Sequence, residues 1–170
     1  MQKRAKTKER NGKNKVGTSL LVVNMRGLVN TRTPVRETLG ELSLLHRFNA
    51  TIVPDNDVYR GMLKSAKEHV AWCVLDKTTA ENLLSKRAEK SSGNRVGESV
   101  LKGSGFSSFG DLASALAEGK TTLNEAVGIR SFFRLNPPKG GFARSIRRQY
   151  GEGGILGPNN DLAELVATMM

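Results

Sequence analysis

Along the first half of the chain, short unbroken apolar runs alternate with stretches in which apolar side chains return every three or four positions. That is the pattern of strands alternating with amphipathic helices. Ser19 to Met25 (SLLVVNM) has the composition of a strand, and Arg26-Gly27 ends it. Thr33 stands where an N-cap belongs, with Pro34 at the first helical position and Val35, Leu39, Leu42 and Leu45 recurring along one face, which predicts a helix of roughly fourteen residues. Ala50 to Val53 reads as a second strand stopped by Pro54. Asp57 is placed to cap a helix running to about Glu68, with Val58, Met62 and Ala66 stacked on one face, and Val70 to Leu75 follows as a third strand. Two helical connections between three strands predict a small open sheet covered by helices, of the ferredoxin-like kind.

The second half is less regular. Thr78 with Glu81 forms the signature of a capping box for a helix carrying Leu83 and Leu84, and Ser91 to Gly105 is rich in Gly and Ser and reads as a loop or insertion. Ser108 with Asp111 caps a further short helix, with Leu112, Ala115 and Leu116 on its apolar face and Gly119 at its end. Thr122 with Glu125 repeats the signature. Ser131 to Leu135 reads as a short strand with Phe133 and Leu135 on one side, closed by Pro137-Pro138. Asp161 to Met170 places Leu162, Leu165, Val166 and Met169 on one side of a terminal helix. No internal repeat is evident.

Charge changes this picture. The net charge is +11, and nearly all of it sits in two segments. Lys3, Arg4, Lys6, Lys8, Arg10, Lys13 and Lys15 face one acid, Glu9, at the start; Arg130, Arg134, Lys139, Arg144, Arg147 and Arg148 face Glu152 near the end. The stretch between them carries 14 basic and 12 acidic side chains and is close to balanced. Charge segregated in this way points to a polyanionic partner. Residues 1–17 have almost no apolar content and are expected to be disordered until a partner neutralises them, the bland alternative being a solubilising tail. The expected organisation is a basic arm over 1–17, a core over 18–77, a helical insertion over 78–129, and a strand, basic glycine-rich loop and terminal helix over 130–170.

Within the basic loop, arginines and lysines neutralise phosphates, and Gly140-Gly141 with Gly151, Gly153 and Gly154 would let backbone N–H groups approach phosphate oxygens. Phe142 and Tyr150 could stack on unpaired bases, or could be tucked back on the core of a merely solvated loop. Catalytic readings are weaker. Glu118-Gly119-Lys120-Thr121 resembles the end of a phosphate-binding loop, but Ser114 stands where that loop needs glycine, and a helix C-cap explains Gly119 better. His46 and His69 each lie near a helix end, and with one cysteine, Cys73, a zinc site or disulfide framework is not expected. Asp55 and Asp57 flank Asn56 and could hold a cation, but the spacing of a calcium loop does not follow, and capping of the next helix explains both better. Cys73 lies in VAWCVL and is expected to be a buried small hydrophobe in a reducing compartment. The longest apolar runs fall far short of the roughly 20 residues that span a bilayer, so the expected location is the cytoplasm.

The order of elements, taken with the residues that fill it, resembles the universal large-subunit ribosomal protein of the L-thirty family in its longer archaeal form, related to the eukaryotic L-seven protein. The resemblance is carried by Arg26-Gly27, by TPVRETLGELSLLHRFNATIVP, by DNDVYRGMLKSAKEHVAW with its Arg60-Gly61-Met62, and by RLNPPKGGF and EGGILG later on. It spans residue 18 to the end. It implies an α+β fold with a ferredoxin-like split β-α-β core, a small antiparallel sheet, a helical insertion and basic extensions, binding large-subunit ribosomal RNA without catalysis and without cofactor. It also implies a place near the 5S RNA, with neighbouring ribosomal proteins as further partners and no membrane or small-molecule substrate. Arg26, Arg60, Arg134, Lys139, Gly140 and Gly141 match family positions expected at or near RNA; Arg32, Arg36 and Lys64 are additional candidates from their places beside or on the helices. The basic arm departs from archaeal members, which often begin almost at the first strand. The functional expectation is therefore a structural constituent of the large subunit. The rivals are a ribosome assembly or RNA-processing factor and, more remotely, a small phosphate-handling enzyme.

Overall fold

The computed structural model describes residues 18–90, 92–97, 106, 108–123 and 129–170. Its strands are β1 (Ser19–Asn24), β2 (Asn49–Pro54), β3 (Val70–Val74), β4 (Phe133–Arg134), β5 (Ser145–Gln149) and β6 (Gly154–Pro158); its helices are α1 (Thr33–Glu41), α2 (Asp57–Ser65), α3 (Lys77–Arg87), α4 (Phe109–Ala117) and α5 (Leu162–Met169). The strands form one sheet in the order β4-β2-β1-β3-β6-β5. Strands β2 and β3 both run antiparallel to β1, which lies between them, so β2-α2-β3 is a split β-α-β unit.

Strand β1 is buried at all six positions because helices cover both faces of the sheet. Its alternate residues serve two cores. Leu20 and Val22 pack with Leu39, Leu63, Ala66 and Val70 under α1 and α2. Leu21 and Val23 pack on the other side with Leu83, Leu84, Leu112, Leu116, Leu162 and Val166 from α3, α4 and α5. Helices α3 and α4, expected as an insertion, thus close the second face of the sheet.

The α+β class and the ferredoxin-like core agree with the sequence, but the sheet is larger than expected and not purely antiparallel. It has six strands, and β6 pairs parallel with both β3 and β5. Two strands lie where a basic glycine-rich loop was expected. Strand β5, SIRRQ, is an edge strand in which only half-buried Ile146 packs on the core, so it lacks an apolar signature. The strand expected over 131–135 contracts to two residues, with Phe133 fully buried as expected.

Helix boundaries shift for identifiable reasons. The N-cap of α1 is Arg32, and Thr33 is already helical. The helix stops at Glu41 because Ser43 takes a left-handed conformation (φ 58), with Ser43 N–H donating to Gly40 O and Leu44 N–H to Leu39 O, a Schellman ending without glycine. Leu44 then fills the core and Leu45 is exposed, the reverse of the expected face. Asn56, not Asp57, is the N-cap of α2, and Asp76 precedes α3 without the Thr78–Glu81 capping box. Ser108 does cap α4, its Oγ accepting from Asp111 N–H at 3.3 Å. The arm 1–17, Ser91 and residues 98–105 of the expected loop, and Glu125 lie outside the described residues.

Candidate nucleic-acid interface

Asn24 organises the first cationic corner. It is fully buried at the end of β1, its Oδ1 accepting from the N–H groups of Arg26 (3.1 Å) and Gly27 (2.8 Å) while its Nδ2 donates to Leu44 O. Gly27 lies at φ 75, a left-handed turn that glycine adopts without strain. This turn ends the strand and leaves the Arg26 side chain exposed, with Nη1 on Glu68 O at 3.2 Å. Arg26, exposed Val29, Arg32 and His69 line one cleft of about 320 Å³.

His69 lies at the base of that cleft with Nδ1 3.2 Å from Gly27 O, and burial, reinforced by nearby Arg26, pushes its pKa down, only partly offset by Gly27 O and Glu68. A depressed folded pKa means that the unfolded chain takes up a proton near pH 6.5 that the folded protein resists. Stability is therefore expected to fall as the pH drops below about 6.5. Thermal unfolding between pH 7.5 and 5.5 measures it, and His69→Gln should remove this part of the pH dependence; an equal slope in the variant would contradict the assignment.

The second corner lies on α2. Asp55, directly after β2, grips the Arg60 guanidinium with both oxygens, Nε to Oδ1 at 2.5 Å and Nη2 to Oδ2 at 2.6 Å. The carboxylate side chain is only 6% exposed and the arginine 52%, so a fixed anchor holds an accessible cation. The Asp55 hydrogen bond, followed by its charge, raises the Arg60 pKa. Lys64 stands one turn further along the same helix, also exposed.

The third region runs from Lys139 to Tyr150. Lys139, Arg144, Arg147 and Arg148 are exposed; Gly140 and Gly141 lie at φ 85 and 81 with open space where a Cβ would point. Arg144 is not an isolated cation. Its guanidinium sits 5.1 Å from the Tyr150 ring centroid and 3.2 Å from Asp161 Oδ2, to which the Tyr150 hydroxyl also donates at 2.9 Å. One face of Tyr150 is therefore already occupied by arginine. Lys139, Arg147 and Arg148 have no ion pair among the described residues.

Two other readings for this segment are decided by packing. Of the two alternatives for Phe142, the structure shows the core contact: the half-buried ring stacks on Phe48 with centroids 6.0 Å apart. Gly154 is buried, and a Cβ there would lie 1.9 Å from Arg148 O; it lets two strands meet rather than exposing backbone to phosphate.

The candidates do not converge on one patch. Arg134 lies on β4 at one sheet edge, 6.0 Å from the Phe132 ring, whereas Arg147 and Arg148 lie on β5 at the other. Arg36 is exposed on α1. Trp72, half-buried on β3 beside Arg60 and Lys64, carries no sequence signal of a surface role, because a lone tryptophan in an apolar strand gives no sign of reaching the surface.

The phosphate-loop resemblance dissolves in the structure. Gly119 N–H donates to Leu116 O and Lys120 N–H to Ala115 O, a Schellman ending of α4 with Gly119 at φ 66. Lys120 Nζ pairs with Glu118 at 2.6 Å, and its hydrogen bond holds the Glu118 carboxyl below the usual range. Burial pushes the Cys73 thiol up to about 11, so it stays protonated and unreactive near neutral pH. No three His, Cys, Asp or Glu come together in a metal-binding group among the described residues, and no helix there is long and apolar enough to cross a membrane.

Residues 20–70 match the family model described as Ribosomal protein L30p/L7e. The chain is 39% identical over 155 residues to the large ribosomal subunit protein uL30 of Nitrosopumilus maritimus, covering 91% of this chain and 100% of the relative. The uL30 proteins of Nanoarchaeum equitans (39% over 138 residues, 80% of this chain and 88% of the relative) and Methanocella arvoryzae (33% over 150 residues, 87% and 97%) are similar along nearly their whole lengths. With the split β-α-β core and matches of this extent, the chain belongs to the L30p/L7e family of ribosomal proteins, in its archaeal uL30 form and not to a family of enzymes.

Proposed function

We propose that this chain is a structural constituent of the large ribosomal subunit in the cytoplasm, binding and orienting ribosomal RNA in the neighbourhood of the 5S RNA. The observation that carries the RNA reading is a set of exposed cations without carboxylate partners among the described residues, Arg147 and Arg148 on a strand that is itself held in the sheet and Lys139 in the loop that precedes it. Charges on a fixed edge present phosphates with a preformed surface, and such contacts orient a protein on folded RNA rather than read its sequence. Edge lysines and arginines also discourage strand pairing between copies, which is what the same residues would do on a protein with no RNA partner. The net charge of +11 favours the RNA reading. In this account the sheet and its helices dock as a body, with the cations of 130–152 on that body, and the basic arm 1–17 adds further contacts to the RNA. No observation favours the alternative of an assembly or processing factor.

Asp55 supplies a test in which charge and affinity move in opposite directions. Asp55→Asn adds one positive charge overall, yet it frees the Arg60 side chain, so binding to a large-subunit ribosomal RNA transcript should weaken by about 2- to 10-fold, the cost of ordering one long side chain again. Filter binding of the full chain at fixed salt measures this. Tighter binding by the variant would show that only net charge matters at α2.

A further inference from the structure

We propose that the groove beside Trp72 holds one unstacked nucleotide of the RNA, its base on the indole and its phosphate on Arg60 and Lys64. The inference rests on the RNA-binding reading above and names what one part of that surface takes. The groove has a volume of about 320 Å³, at the lower end of the roughly 300–1,000 Å³ typical of clefts that enclose a small ligand. Its floor follows from strand register. Leu20 of β1 lies opposite Val74 of β3, Trp72 is two residues before Val74 on the same face, and Trp72 lies opposite Pro158 of β6. These four side chains form a continuous apolar surface at which Trp72 is half-buried and Val74 is 57% exposed.

The walls decide the occupant. Arg60 and Lys64 border the floor from α2, and the carboxylate among the lining residues, Asp55, is already gripped by Arg60. The groove is therefore apolar below and positive at its side. A purely apolar peptide seated there would desolvate Lys64 without giving it an acceptor and would add nothing to the Arg60–Asp55 pair. A nucleotide satisfies both parts at once, since a base has an apolar face to stack and its phosphate accepts from guanidinium and ammonium. A paired base inside an RNA helix has both faces covered, so the fitting element is a nucleotide from a loop, bulge or single-stranded junction.

Trp72 is the sole tryptophan of the chain, so its fluorescence reports on this groove alone. The full chain is titrated with a large-subunit ribosomal RNA transcript while retention on filters is followed in parallel. The expected result is quenching that saturates together with RNA retention. Trp72→Leu, which keeps an apolar side chain on the floor, should weaken binding by about 5- to 150-fold, the range for losing one stacked base, and Trp72→Phe should stay close to the parent. Full retention with unchanged fluorescence would overturn the proposal and leave the groove to a neighbouring protein. Weaker binding by Trp72→Leu without quenching in the parent would also overturn it, as a packing effect. Absence of RNA retention would overturn the RNA-binding reading and this inference with it.

Discussion

Gly154→Ala is expected to unseat strand β5 and to lower the unfolding free energy by about 3 kcal/mol, the upper end of what overpacking costs. A Cβ at this position would lie 1.9 Å from Arg148 O, 2.3 Å from its carbonyl carbon and 2.8 Å from its Cα. All three are backbone atoms, so no rotamer change relieves the clash and β5 must move away from β6. Because β5 carries Arg147 and Arg148, the same change should weaken RNA binding as well as stability. Gly151→Ala is the control. It sits three residues earlier in the same glycine-rich segment, its Cβ would point into open space, and its expected effect is within about 0.5 kcal/mol. Urea unfolding of the two variants compares them directly. Equal midpoints would mean that β5 does not pack on β6 as described.

Replacing Lys139, Arg144, Arg147 and Arg148 together by alanine should lower RNA affinity and flatten its dependence on salt. Each phosphate contact contributes about 0.7 to 0.9 to the slope of log affinity against log salt. Four independent contacts would reduce the slope by roughly 3 to 4. The structure lowers that figure, because Arg144 is already shared with Asp161 and the Tyr150 ring. Three uncompensated cations predict a drop of roughly 2 to 3. Filter binding at several salt concentrations reads it. An unchanged slope would place all four side chains in solvent.

What was legible in the sequence was what depends on local apolar pattern. The unbroken run LLVV in β1 foretold a strand, and the capping signature at Ser108 and the glycine at 119 correctly bounded α4. What escaped depends on contacts remote in sequence. Ser43 ends α1 in a conformation for which serine gives no signal, so the apolar spacing alone predicts too long a helix with Leu45 facing inward. Strand β5 has one core-facing apolar residue and is a strand because β6 lies beside it. At the interface, Lys139, Arg147 and Arg148 are recognisable from charge clustering, whereas Arg26 and Arg60 are marked only by the family resemblance. The partners of the cations are not recognisable: the sequence around Asp55 suggests a helix cap rather than the anchor of Arg60, and Asp161 lies 17 residues from Arg144 in sequence. Phe142 and Tyr150 looked alike as aromatic residues in a basic loop, and only tertiary packing separates a core contact with Phe48 from a ring bearing Arg144.

The place of the chain in the ribosome is most directly measured by sedimenting a cell lysate through sucrose at moderate and then high salt, with mass spectrometry across the fractions. A structural constituent should persist at one copy per mature large subunit through the high-salt wash. Recovery only in precursor particles or in the free pool would contradict that role and identify an assembly factor instead.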